Sequence, residues 1–243
     1  MKSLLFSKRT AKEIIRDPLT LFFGIGFPVI VLILLSAIQA NIPVDMFEIR
    51  HLTPGITVFG LSFVSLFGGL LVAGDRSGAF LLRLYTTPMR AIDYIIGYTC
   101  PLIPFSLVQA VVCYLVAFCF GLTPTVGILW ALLFLIPMSL LFISIGLLCG
   151  SVLNAGQIGG ICGALLTNLT AWLSGVWFDI SLLGGGFETL AKVLPFVHAV
   201  ELERAVLLCD FSGIFPHLLI VLAWTVALFA AAVFFFLRQM KKR

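Results

Sequence analysis

The chain has 243 residues, of which 61% are hydrophobic and only 11% charged, with a formal net charge of +4. A water-soluble domain carries about 45–50% apolar and roughly 25% charged residues, so this chain has too little polar surface to cover itself in water. The composition excludes a soluble globular protein and indicates an integral membrane one, solvated by lipid.

Residues 1–18 hold Lys2, Lys8, Arg9, Lys12 and Arg16. At about 100° per residue, Leu4, Ala11, Ile14 and Ile15 share one face. Lys2, Arg9, Lys12 and Arg16 share the opposite face, with Lys8 at the border and Phe6 out of pattern. The pattern predicts an amphipathic helix lying in the membrane interface; the alternative is a basic flank that only sets topology. The apolar run that follows exceeds the roughly 7–15 residues of a cleavable signal, so it reads as a retained span.

Crossing roughly 30 Å of hydrocarbon takes about 20 apolar residues. Six stretches qualify, at 19–40, 56–74, 95–120, 128–150, 156–178 and 214–237. Backbone polar groups must be satisfied inside the bilayer, which makes all six helices. An even number of spans puts both ends on one side. The N-terminal segment, the loop after the second span and the C-terminal residues together carry twelve Lys and Arg, whereas Arg50, Lys192 and Arg204 lie on the other side. The basic side is expected to be cytoplasmic. The charge thus reflects topology and attraction to the lipid surface, with no case for nucleic-acid binding.

Between the fifth and sixth spans, residues 179–213 pass through Gly184-Gly185-Gly186 into two short apolar pieces broken at Pro195. Each piece is too short to cross. Two helices broken at the proline and dipping into the outer leaflet fit the pattern; the alternative is an ordinary outer loop with surface helices. The fold expected is therefore all-α and integral to the membrane, a single domain over 1–243. It comprises an N-terminal interfacial helix, six transmembrane helices and a re-entrant outer helical segment before the last span.

The chemistry of the chain is defined largely by what it lacks. No Asp, Glu, Lys or Arg falls inside the six stretches. Ion-coupled carriers usually place such groups at membrane depth, so their absence argues against that class. No G-x-x-x-x-G-K-[ST] phosphate loop occurs, which leaves ATP to another polypeptide and makes the chain a non-enzyme. His198, Glu201 and Glu203 supply too few ligands for a metal site and read as an outer hydrogen bond or ion pair. The six cysteines include no C-x-x-C pair; all but Cys209 fall inside apolar stretches, and they read as free buried thiols.

The most informative stretch is 75–94, on the expected cytoplasmic side. Ser77 is positioned to cap a short helix. Phe80, Leu81 and Leu84 would form its apolar face, Arg76 and Arg83 would reach solvent, and Thr87-Pro88 would stop it. Such a helix, held between two spans, suits docking into a groove on a soluble partner.

The run 78–90, with Leu82-Arg83-Leu84 and Thr86-Thr87-Pro88-Met89-Arg90, resembles the cytoplasmic loop of type-2 ABC exporter permeases. That family's pattern is an acidic residue, Gly-Thr, a Leu-Arg stretch and Thr-Pro. This chain departs from it with Asp75 where glutamates are common and Ala79 in place of threonine. Arg16-Asp17-Pro18 followed by Phe27-Pro28 resembles the family's entry to span one, and Lys192-Val-Leu-Pro195 with Arg204 resembles the segment before its last span. The resemblance implies a permease paired with a second copy or a paralogue, with spans one and five at the pairing surface. It further implies no cofactor in this chain, and ATP and Mg in a separate ABC ATPase subunit that docks on Phe80, Leu81, Arg83, Leu84, Thr87 and Pro88.

Two further sets of residues are candidates. Gly146, Gly150, Gly156, Gly160 and Gly163 repeat at helical spacings that let backbones approach closely, either between spans four and five or between subunits. Phe59, Phe63 and Phe67 on span two, and Asn168 and Trp172 on span five, are candidates for a substrate path; the alternative is packing against a neighbour or lipid. The function expected is ATP-driven export of a hydrophobic or amphipathic small molecule across the plasma or inner membrane. The rivals are lipid or glycolipid export, an ion-gradient carrier and a non-transporting membrane anchor for a cytoplasmic partner.

Overall fold

In the computed structural model, which describes residues 2–42, 47–78 and 91–241, every regular element among the described residues is a helix. α1 (Lys2–Arg16) leads into α2 (Pro18–Asn41), α3 (Ile49–Ser77), α4 (Ala91–Cys119) and α5 (Val126–Val152). A composite helix α6 covers 155–173, followed by α7 (Gly185–Val193), α8 (Pro195–Leu207) and α9 (Phe211–Lys241).

Among the described residues five helices, α2 to α5 and α9, are long and apolar enough to cross a membrane. The fifth expected stretch becomes α6 and stops at Leu173. At 1.5 Å per residue α6 is about 28 Å long, but Gln157, Thr167, Asn168 and Thr170 dilute its hydropathy. The helix begins with a capping box in which Asn154 accepts from the Gln157 N–H and Gln157 accepts from the Asn154 N–H. It then widens to π geometry over Gly159–Leu166. A second π turn, Phe22–Gly26, lies in α2. α2 starts sharply because Asp17 accepts from the Leu19 and Thr20 N–H groups and Pro18 takes the first turn.

α3 is the central helix, largely buried, while α2 and α9 form the rim and expose most of their surface. Its tightest neighbour is α5. A Cβ on Gly146 would meet the Ser65 carbonyl oxygen at 2.3 Å, and one on Gly150 the Gly69 carbonyl oxygen at 2.6 Å. Without a hydrophobic drive between helices in lipid, such backbone approach supplies the packing. Of the two arrangements expected, packing of spans four and five on each other is not what the first two glycines do: Gly146 and Gly150 face α3, and a Cβ on Gly163 would lie 3.4 Å from Leu66 of α3. Gly156 meets only the Asn154 side chain, and Gly160 faces open space.

α1 also departs from the sequence pattern. The protein-facing stripe is Phe6, Ser7, Thr10 and Ile14, while Leu4, Leu5 and Ile15 are exposed. Phe6 is the helix's anchor, edge-on to Tyr98 at 4.9 Å and to Tyr94 at 5.9 Å, over a floor left by Gly97. The expected apolar face is thus split between side chains packed on protein and side chains left exposed, because the contact with α4 falls on a face that periodicity alone does not show.

At the other end of the molecule α7 and α8 meet at the extended Leu194 before Pro195. The chain reaches them through a turn at Gly175, whose φ of +76° favours glycine. Cys113 and Cys162 are buried thiols, but Cys100 and Cys119, also expected within apolar stretches, are exposed.

Candidate functional site

The end that carries α1, the end of α3 and the start of α4 is organised around Asp75. Its carboxylate accepts two hydrogen bonds from the Arg9 guanidinium, both 2.7 Å, and one from the Tyr98 hydroxyl at 2.9 Å. Three elements meet there, with Asp75 nearly buried and Arg9 about a third exposed. Hydrogen bonding to Asp75 holds the Arg9 guanidinium above its ordinary pKa. Glu13 takes a second contact from Arg9 at 3.1 Å, and partial burial raises its carboxyl above the usual range.

One residue on, Arg76 donates to the backbone carbonyls of Ser151 and Leu153 at the end of α5. Those carbonyls belong to the terminal turns of a helix, where acceptors lack intrahelical donors. The expectation that Arg76 reaches solvent is therefore corrected. Ser77 closes its own helix, donating to the Gly74 carbonyl at 3.0 Å, and the helix it was expected to cap lies outside the described residues. The connection between α3 and α4 is thus gripped where it leaves, on one side by α1 and α4 and on the other by α5. Phe80, Leu81, Arg83, Leu84, Thr87 and Pro88, the residues expected to meet an ATPase, lie outside the described residues.

The aromatic stripe on α3 sits deeper. Phe59, Phe63 and Phe67 are all buried. Phe63 stacks on Phe23 at 6.2 Å and meets Phe27 edge-on at 5.4 Å; Phe59 meets Trp177 at 5.6 Å. Within the single chain these rings form a closed seam between α2, α3 and the turn after α6. Asn168 and Trp172 are not part of it. Asn168 is exposed and donates to the Ala164 carbonyl at 2.8 Å, and Trp172 is exposed beside Phe178.

The opposite end is built from polar contacts. Arg204 donates to Glu201 at 2.8 Å, to the Gly175 carbonyl at 2.9 Å and to the His51 carbonyl at 3.3 Å. One side chain thereby ties α8 to α3 and to the turn after α6. His198 donates Nε2–H to the Lys192 carbonyl at 2.8 Å, which leaves its Nδ1 to accept from His217 Nδ1–H at 2.9 Å in the neutral pair. A cleft of about 600 Å³ opens here, lined by His51, Asp179, Lys192, Glu201, Arg204 and His217. Of the outer polar pairings expected for α8, those of His198 and Glu201 are present.

Glu203 is a correction. Its side chain points inward, fully buried, with one carboxyl oxygen accepting from the Tyr114 hydroxyl at 3.0 Å and the other without a hydrogen-bond partner among the described residues. Burial pushes its carboxyl up to about 8. The signal was present in the sequence. Phe196, Ala199, Val200, Glu203, Val206 and Leu207 recur at helical spacing, and all are buried. Glu203 therefore occupies an apolar position of α8. Among the described residues no group of three or more His, Cys, Asp or Glu is placed to hold a metal.

The comparisons with known proteins bear on this arrangement. The family model described as "ABC-2 type transporter" matches residues 3–208, most of the chain. Over 87 residues the chain is 37% identical to a protein of Porphyra purpurea named "Putative transport permease ycf38". That similarity covers 34% of this chain and 30% of the relative, so the match spans under a third of the relative's length. With a match across nearly its whole length and five helices capable of crossing a bilayer, this multi-pass, all-helical membrane protein belongs to the ABC-2 type transporter family.

Proposed function

We propose that the chain is the permease subunit of an ATP-driven exporter, powered by a separate ABC ATPase that docks at the basic end. The observation that carries this reading is the double grip on the connection between α3 and α4. Arg9 and Tyr98 hold Asp75, and Arg76 holds the end of α5. A push delivered to 79–90 would thus be shared among four helices instead of being lost in a loose loop. The membership of the ABC-2 type transporter family supports the same reading.

In this reading the basic end faces the cytoplasm, both termini lie on that side, and the protein resides in the plasma or inner membrane. Two permeases pair through the exposed faces of α2 and α6, as a homodimer or with a paralogue. Mg-ATP is bound by the partner ATPases, whose closure moves the connections and changes access to a path between the permeases. That movement parts α2 from α3 and opens the otherwise closed Phe59, Phe63 and Phe67 seam toward that path, where it suits a hydrophobic or amphipathic small molecule.

Buried Glu203 favours a second reading, an ion-gradient carrier, because an ionisable group away from water is a hallmark of that class. One experiment separates the two. The chain is reconstituted in vesicles with and without a partner ABC ATPase, and export of a hydrophobic dye is followed with ATP or with a proton gradient. Export requires ATPase and ATP on the first reading, and Leu81→Asp abolishes it while the protein still folds. Gradient-driven export by the lone chain would overturn that reading, and normal ATP-driven export by Leu81→Asp would misplace the docking residues.

A further inference from the structure

α1 carries a line of cations for which the described residues supply no paired carboxylate. Lys8, Lys12 and Arg16 follow one another at intervals of four residues, so they stack along one face with a rise of about 6 Å between neighbours. Like charges at that spacing repel and destabilise a helix. All three are exposed, and among the described residues no carboxylate lies within ion-pairing distance of any of them. The acids that could serve are committed elsewhere. Asp75 is held by Arg9 and Tyr98, Glu13 pairs with Arg9, and Asp17 accepts from the Leu19 and Thr20 N–H groups at the start of α2.

The line borders a cleft of about 810 Å³ between α1 and the start of α2. Leu5 lines the cleft with the cations, and Leu19 and Phe22, in the first turns of the next helix, are exposed apolar side chains. The environment therefore offers phosphate-sized counter-charge sites on one side and a hydrocarbon-compatible surface on the other. A soluble anion uses only the first; a lipid uses both.

We propose that Lys8, Lys12 and Arg16 form a binding site for the phosphates of anionic lipid headgroups, whose acyl chains run along Leu5, Leu19 and Phe22. The lipid's charge relieves the repulsion along α1 and holds the helix in the plane of the interface. This site does not depend on what the protein transports or on what drives it.

The test uses the full chain purified in detergent and exchanged into phosphatidylcholine with or without phosphatidylglycerol, the retained lipids being counted by native mass spectrometry. Each cation near an anionic surface contributes about 1 kcal/mol, so three give a preference for phosphatidylglycerol on the order of 100-fold. The triple variant Lys8→Gln, Lys12→Gln, Arg16→Gln should retain both lipids about equally. Arg238→Gln, an exposed cation at the same end of the molecule, should keep the wild-type preference. A thermal stability of the triple variant equal to or above that of wild type in pure phosphatidylcholine, where the repulsion along α1 is unrelieved, shows that any lost preference is not unfolding. An undiminished preference in the triple variant overturns the proposal, as does displacement of phosphatidylglycerol by inorganic phosphate, which would make the line a simple anion site.

Discussion

Substituting Asp75→Asn tests whether the α1 clamp is structural. The carboxylate receives two guanidinium hydrogen bonds at 2.7 Å and one from the Tyr98 hydroxyl. Asparagine keeps one acceptor oxygen, turns the other position into a donor facing guanidinium donors, and removes the charge. Hydrogen bonds to charged groups contribute roughly 1.5–3 kcal/mol each, and breaking a fully buried ion pair costs about 3–5 kcal/mol. Arg9 is 36% exposed, so water takes over part of its solvation and the loss falls below that range. The expected destabilisation is about 2–3 kcal/mol. Arg9→Gln also removes the contact with Glu13, so the single variants are not directly comparable, and a double-mutant cycle isolates the shared interaction. A coupling of about 2 kcal/mol is expected, read from unfolding midpoints in mixed micelles by tryptophan fluorescence. A coupling below about 0.5 kcal/mol, the range of exposed surface pairs, would mean that Arg9 and Asp75 merely lie near each other and that α1 is held by Phe6 alone.

Four further substitutions probe other parts of the fold. Gly146→Ala places a methyl against the Ser65 carbonyl and should destabilise by about 1–3 kcal/mol, whereas Gly160→Ala, facing open space, should be neutral or stabilising by up to about 1 kcal/mol because alanine is the better helix former; the same micelle titration reads both. Phe6→Ala should cost about 3–5 kcal/mol and raise protease sensitivity within α1, since Phe6 is its main apolar anchor on α4. Glu203 gives a pH signature. Its carboxyl rises from 4.5 to about 8 on folding, so between those values the native protein holds a proton that the unfolded chain has released. Stability should therefore fall as pH rises from about 4.5 to about 8 and then level off. Glu203→Gln should flatten that slope, and an unchanged pH profile in the variant would show that another group is responsible.

The sequence disclosed the helices more readily than their partners. Long uncharged runs identify spans because the bilayer imposes a length, and α2 to α5 and α9 follow from that requirement alone. The break at Pro195 was equally legible, since proline cannot continue a helix there. Phe6 and Arg9 were misread for one reason: periodicity locates faces of an isolated helix, while the contact with Tyr94, Tyr98 and Asp75 is made by residues many positions away. Gly146 and Gly150 announced a close approach but not its partner, as small residues carry no label for the helix they meet. Glu203 was visible in the α8 stripe, yet a carboxylate is ordinarily assigned to the surface.

α3 is held at both extremities. Over about 43 Å of length, its Arg76 end is fastened to α5 and its His51 end receives Arg204 from α8, while the Gly146 and Gly150 contacts leave no cushion of side chains along the seam with α5. The α3–α5 pair is thereby a stiff beam with a latch at each tip. Tilting it by a few degrees about its middle displaces the two tips in opposite directions by comparable distances, so movement imposed beside Gly78 reappears, reversed in sense, at the cleft beneath α8.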